Sequence, residues 1–176
     1  MHWLFWGEGS PEALDRSQYA YDSTVGFNET FGFRAGTSLP HSMGSEKGAT
    51  LEIPLLVMDT AAFYPSYEGW DLERALEAFD RIRDHVRRAS GVLTINWHDR
   101  SIAFERRWDE AYEAILSRLS EDNVWWATYS DIADFHRARA AARLEVCGDY
   151  PRDYKWRVRS EDPRWSSALE ICESAP

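Results

Sequence analysis

At 176 residues, the chain is long enough for one globular domain able to bury about two-thirds of its extended surface, and 44% hydrophobic with 28% charged residues excludes a disordered tract. A net charge of −10 excludes general binding to nucleic acid or an anionic membrane, both of which need a basic face. The acids are scattered, as on a solvated surface, whereas aromatics reach 14% with nine Trp, suiting either a packed core or flat platforms for sugar rings.

The N-terminal run Met1 to Gly9 lacks the basic segment and apolar length of a signal peptide. No stretch is long enough to cross a bilayer. A cytoplasmic protein is therefore expected. Cys147 and Cys172 make neither a disulfide framework nor a zinc motif.

In chain order, Ser10-Pro11-Glu12 predicts a short helix with Ser10 as its cap. Tyr19 to Tyr21 reads as a small strand, and 22–48 as a long functional loop without either period. Leu51 to Met58 predicts the first substantial strand, with Pro54 at an edge or bulge. Asp71 caps a predicted helix over 71–89, whose apolar residues recur on one side from Leu72 to Val86. Gly91 to Trp97 follows as a buried strand, then a helix over 105–120 whose apolar face begins at Phe104 and Trp108. Val124 to Thr128 reads as a third strand, and Ser130 caps a third helix.

This alternation predicts α/β architecture, with strands 51–58, 91–97 and 124–128 parallel in one curved sheet and the helices outside it. The pattern stops near Arg143. Residues 1–143 form the predicted main domain, and 144–176 an irregular or β-like appendage.

In such folds chemistry sits at the C-terminal ends of strands. His98, between Trp97 and Asp99, is placed to shuttle a proton near neutral pH, or only to hydrogen-bond a neighbouring loop. Asp22 can orient such an imidazole, hold a cation, or open a turn with Ser23. Arg34, among small residues in the long loop, can hold a carboxylate or sugar hydroxyl, or lie on the surface. His41, His85 and His136 lack ligand spacing and read as structural or surface residues. No paired Asp, no His-x-x-x-His and no Cys cluster marks a metal site.

Four stretches then occur in one order: Tyr21-Asp22-Ser23-Thr24-Val25-Gly26-Phe27-Asn28-Glu29-Thr30; Gly32-Phe33-Arg34-Ala35-Gly36-Thr37; Leu51-Glu52-Ile53-Pro54-Leu55 with Met58-Asp59-Thr60; and Asn96-Trp97-His98-Asp99-Arg100-Ser101. Over residues 2–137 the chain resembles one subgroup of the polysaccharide deacetylases, the carbohydrate esterase family with the NodB-homology fold. The resemblance implies a partial distorted (β/α) barrel. It also implies metal-dependent hydrolysis of an acyl group from a polysaccharide or amino sugar, in bacterial surface-polysaccharide metabolism.

In that family a divalent metal, usually zinc, polarises the carbonyl and activates water, an Asp takes the proton, and a His protonates the leaving group. By position, His98 matches the acid and Asp22 the orienting Asp. Trp97 and Trp3 would wall the acyl pocket, with Arg34 and Asp99 also on the substrate side. Asn96 departs from the usual Leu of the acid motif. His2-Trp3-Leu4 resembles the end of the motif that supplies an Arg.

The metal and base motifs of relatives lie upstream of Met1, so no metal ligand is assigned here. The chain is expected to be inactive alone. It would be a truncated enzyme, one half of a split deacetylase completed by a separately encoded N-terminal half, or a non-catalytic module binding carbohydrate or protein.

Overall fold

A computed structural model describes residues 2–43, 50–149 and 153–165. The chain divides into two compact units, Met1–Trp126 and Ala127–Pro176. The second unit therefore takes in the last helix as well as the predicted appendage.

The first unit opens with helix α1 (Ser10–Arg16). Gly9, not Ser10, is its cap; the Ser10 hydroxyl instead accepts the Gly7 N–H at 3.0 Å, closing the turn before the helix. Strands β1 (Tyr21–Asp22), β2 (His41–Ser42) and β3 (Leu51–Glu52) form one small sheet in the order β1-β3-β2. β1 runs parallel and β2 antiparallel to β3. Asp22 lies within β1 rather than after it, and the predicted loop contributes β2; its residues 44–49 lie outside the described set.

β4 (Val57–Met58) pairs in parallel with β5 (Ile95–Asn96). Between them come α2 (Asp59–Phe63) and α3 (Leu72–Ala89), which supply the long crossover a parallel pair requires.

The predicted strand 51–58 is thus two strands. Pro54, with no N–H to give, sits where the run exchanges neighbours. Before it, Ile53 N–H donates to Asp22 O at 2.9 Å; after it, Leu56 N–H donates to the Thr94 hydroxyl at 3.0 Å and Val57 N–H to Thr94 O at 3.2 Å. Within 91–97 only Ile95–Asn96 is ladder-paired.

The predicted strand 124–128 does not form: Val124, Trp125 and Trp126 are exposed at 38%, 50% and 59% and join no strand among the described residues. Aromatic strand preference is realised only against a neighbouring strand and a packed face, and no strand pairs with this run among the described residues. The expected single sheet of three parallel strands is therefore two small sheets here, and no barrel closes among the described residues.

The helices follow their patterns more closely. Asp71 accepts the Arg74 N–H at 2.8 Å and caps α3. That helix turns Ala75, Ala78, Phe79, Ile82 and Val86 inward, against Leu55, Leu56, Val57, Ala61 and the Ile115 and Leu119 of α4 (Asp109–Ser120). Phe104, expected on the α4 face, precedes the helix and is 90% exposed.

In the second unit, α5 (Tyr129–Ala141) is capped by Thr128 rather than Ser130. Thr128-x-x-Asp131 makes a reciprocal capping box, satisfying two N–H groups where Ser130 could satisfy one. A hairpin of β6 (Arg143–Asp149) and β7 (Asp153–Arg159) gives the appendage its β character. Phe135 packs edge-on to Trp165 at 5.3 Å, and Arg164 bridges Asp134 and Asp162. Among the described residues no helix is long and apolar enough to cross a membrane.

One close approach locks the loop after β1 onto the core run. A Cβ on Gly26 would lie 2.8 Å from Leu55 Cβ and 2.9 Å from its carbonyl oxygen. Gly26→Ala is expected to cost about 1–3 kcal/mol, the usual penalty for overpacking. Gly7→Ala, with nothing within 4 Å of the new methyl, serves as the control. Urea midpoints compare the two; equal midpoints would show that the loop gives way freely.

Candidate proton-transfer site

The β4–β5 register pairs Met58 with Asn96. The residues that follow each strand therefore emerge side by side: Asp59 begins α2, while Trp97 and His98 lead into a 3-10 turn at Asp99–Ile102.

Asp59 has no exposed surface and is surrounded by donors. Its Oδ1 accepts the Thr60 N–H at 2.7 Å and lies 2.6 Å from His98 Nδ1. Its Oδ2 accepts the His98 N–H at 2.8 Å and the Ser101 hydroxyl. A carboxylate so placed is an acceptor only, so the proton on the imidazole belongs on Nδ1. That leaves Nε2 for proton exchange, on a side chain 35% exposed. Ser101 spends its hydroxyl on Asp59 and is not a nucleophile activated by the imidazole.

Trp97 forms one side of an aromatic wall next to the pair. Its ring lies 5.3 Å from Tyr112 and 6.1 Å from Phe63, and Phe63 stacks on Trp108 at 5.5 Å. Arg106 lies 4.8 Å over Trp108 and 5.6 Å over Tyr64. The Trp97 indole N–H is buried without a hydrogen-bond partner among the described residues.

Asp99 is exposed, beside His98, with its carboxylate on the Arg100 N–H at 2.7 Å. Arg34 and Trp3 meet elsewhere, around the turn at Gly26 to Asn28. Arg34 Nη1 donates to Gly26 O at 2.9 Å and Leu4 O at 3.3 Å, and Asn28 donates to Trp3 O at 3.0 Å. Arg34 thus ties backbone segments together. Trp3 is 67% exposed with a left-handed φ of 63°. Of the other histidines, His85 lies on α3 with Nδ1 2.8 Å from Arg81 O, and His41 lies on β2.

Asp22 is registered opposite Glu52, at the other end of the 51–58 run from Asp59, and its Oδ2 accepts the Thr24 N–H at 3.0 Å. The carboxylate on His98 is Asp59, which sequence reasoning gave no role. The available signal was the one that singled out His98: a polar residue directly following a buried strand.

Glu52 is the second residue missed. It has no exposed surface; burial pushes its carboxyl up to about 7, the Val25 N–H opposes that shift, and the neighbouring Asp22 carboxyl adds to it.

Among the described residues no group of three or more His, Cys, Asp or Glu is arranged to hold a metal ion. No family model, curated protein or solved structure matches the chain.

Proposed function

We propose that this chain carries the proton-transfer part of a hydrolase that removes an acetyl or other acyl group from a sugar, as polysaccharide deacetylases do. The observation that carries the reading is the His98–Asp59 pair at adjacent ends of two parallel strands, with Nδ1 held by a buried carboxylate. In this reading the protonated imidazole donates its Nε2 proton to the leaving nitrogen or oxygen as the acyl bond breaks, and Asp59 holds Nδ1 so that Nε2 faces the leaving group. The orienting role expected of Asp22 falls to Asp59, and Trp97 with its aromatic neighbours walls the acyl side. The parallel β4–β5 unit with its helical crossover supports placing the first unit within a (β/α) barrel.

The family's divalent metal does not fit the described residues, which offer no three-ligand group, so no step is assigned to a metal here. In this reading metal ligands and a base come from residues beyond those described.

The test is made in the source cells, so that any partner is present. His98→Gln and Asp59→Asn are introduced at the chromosomal locus and the acetyl content of cell polysaccharide is measured. Both variants are expected to raise it toward that of a gene deletion. A deletion that raises acetylation while His98→Gln does not would remove His98 from the chemistry. A deletion that changes nothing would leave a sugar- or protein-binding module as the better reading.

A further inference from the structure

Three titratable side chains stand in one row across the first sheet. Asp22 on β1 and His41 on β2 are both registered against Glu52 on the central strand β3. Glu52 is completely buried, and its Oε1 accepts the Val25 N–H at 2.9 Å. Its Oε2 is also buried and meets no donor among the described residues.

The group facing Glu52 is the Asp22 carboxyl, close enough for a hydrogen bond between the two side chains. Two ionised carboxylates in such contact repel and leave an acceptor unmet in a dry place; a single proton between them removes both problems. His41 offers no alternative. Its Nδ1 lies 3.2 Å from the carbonyl of Leu39, and no ion pair joins it to Glu52 among the described residues.

We propose that Glu52 is held as a neutral carboxylic acid whose Oε2 hydroxyl donates to the Asp22 carboxylate, making Glu52 a positioning residue for Asp22 and the turn behind it. The arrangement is a closed clasp. Glu52 Oε1 holds the Val25 N–H, Asp22 Oδ2 holds the Thr24 N–H, and the Ser23 hydroxyl donates to Ile53 O at 2.7 Å. One proton between the two carboxyls ties β1 to β3 on the side-chain face, beside the backbone ladder. This inference does not depend on the role of His98.

The test is a carbon-13 NMR titration of side-chain carboxyls in the full chain, with Val25 and Thr24 amide shifts followed in parallel. Glu52 is expected to titrate near 7, against an ordinary 4.5, with both amides moving through the same transition. Glu52→Gln keeps a donor toward Asp22 and an acceptor for Val25. It is expected to preserve the fold and abolish the amide transition. A Glu52 carboxyl titrating near its ordinary value, or a Glu52→Gln chain showing the same amide transition, would overturn the shared proton. Should that variant fail to fold, the wild-type titration decides alone.

Discussion

Asp59→Ala is expected to lower the unfolding free energy by about 3–5 kcal/mol, because it takes the acceptor from several donors at once and each buried donor left unpaired costs about 1–3 kcal/mol. The substitution leaves without an acceptor the N–H groups of Thr60 and His98, the Ser101 hydroxyl and the His98 Nδ1–H. Ser101 and Thr60 are buried, so water does not readily replace what is lost. Against a typical total of about 5–15 kcal/mol, that is a large share, and partial unfolding at room temperature is an acceptable outcome.

Two milder variants grade the effect. Ser101→Ala removes one donor and should cost about 1 kcal/mol. Asp59→Asn keeps the shape but presents an NH2 where donors converge, and should fall between the other two. Urea unfolding followed by tryptophan fluorescence measures all three. An Asp59→Ala chain within about 1 kcal/mol of wild type, the worth of one ordinary hydrogen bond, would mean that the network does not organise the β4–β5 ends.

Helix α3 was legible because two independent signals agree on it: a capping Asp71 and a one-sided apolar repeat ending at Val86. The strands were legible as apolar runs but not as ladders. Hydrophobicity says that 51–58 is buried and is silent on which neighbour each half pairs with, so the exchange at Pro54 did not show. Val124 to Thr128 has strand-like side chains but no partner strand among the described residues, and partnership is a tertiary fact.

In the site, His98 was visible as a polar residue closing an apolar strand. Asp59 obeys the same rule after Val57–Met58, but the apolar run alone does not say that its end lies beside that of the strand before His98. Glu52 was hidden by alternation: Leu51-Glu52-Ile53 reads as a strand with one wet face, whereas Leu51, Glu52 and Ile53 are all buried. A charged residue between two covered faces becomes informative only once its neighbour across the sheet, Asp22, is known.

Burial of Glu52, with the Asp22 carboxyl beside it, makes the chain's stability fall as pH rises from the acid side toward neutrality. The carboxyl of Glu52 moves from 4.5 when unfolded to about 7 when folded. Its folded-state pKa is raised, so the unfolded chain releases this proton first. The stabilisation is complete below the unfolded value and is lost as pH rises through the folded one. At about 1.4 kcal/mol per pH unit, the full loss is about 3–4 kcal/mol. Asp15, Asp131 and Asp162 are shifted the other way, downward, by hydrogen bonds with Thr50, Thr128 and Arg164. Their contributions are present above an ordinary Asp value of 3.8 and are lost only as pH falls further, so they stay constant across the window in which Glu52 acts. Urea unfolding of wild type and Glu52→Gln at half-unit steps from pH 5 to 8.5 isolates the effect. The difference, wild type minus variant, should decline steadily up to neutrality and then level off. A flat difference would mean that Glu52 ionises inside the fold as readily as outside it, and that some other group neutralises it there.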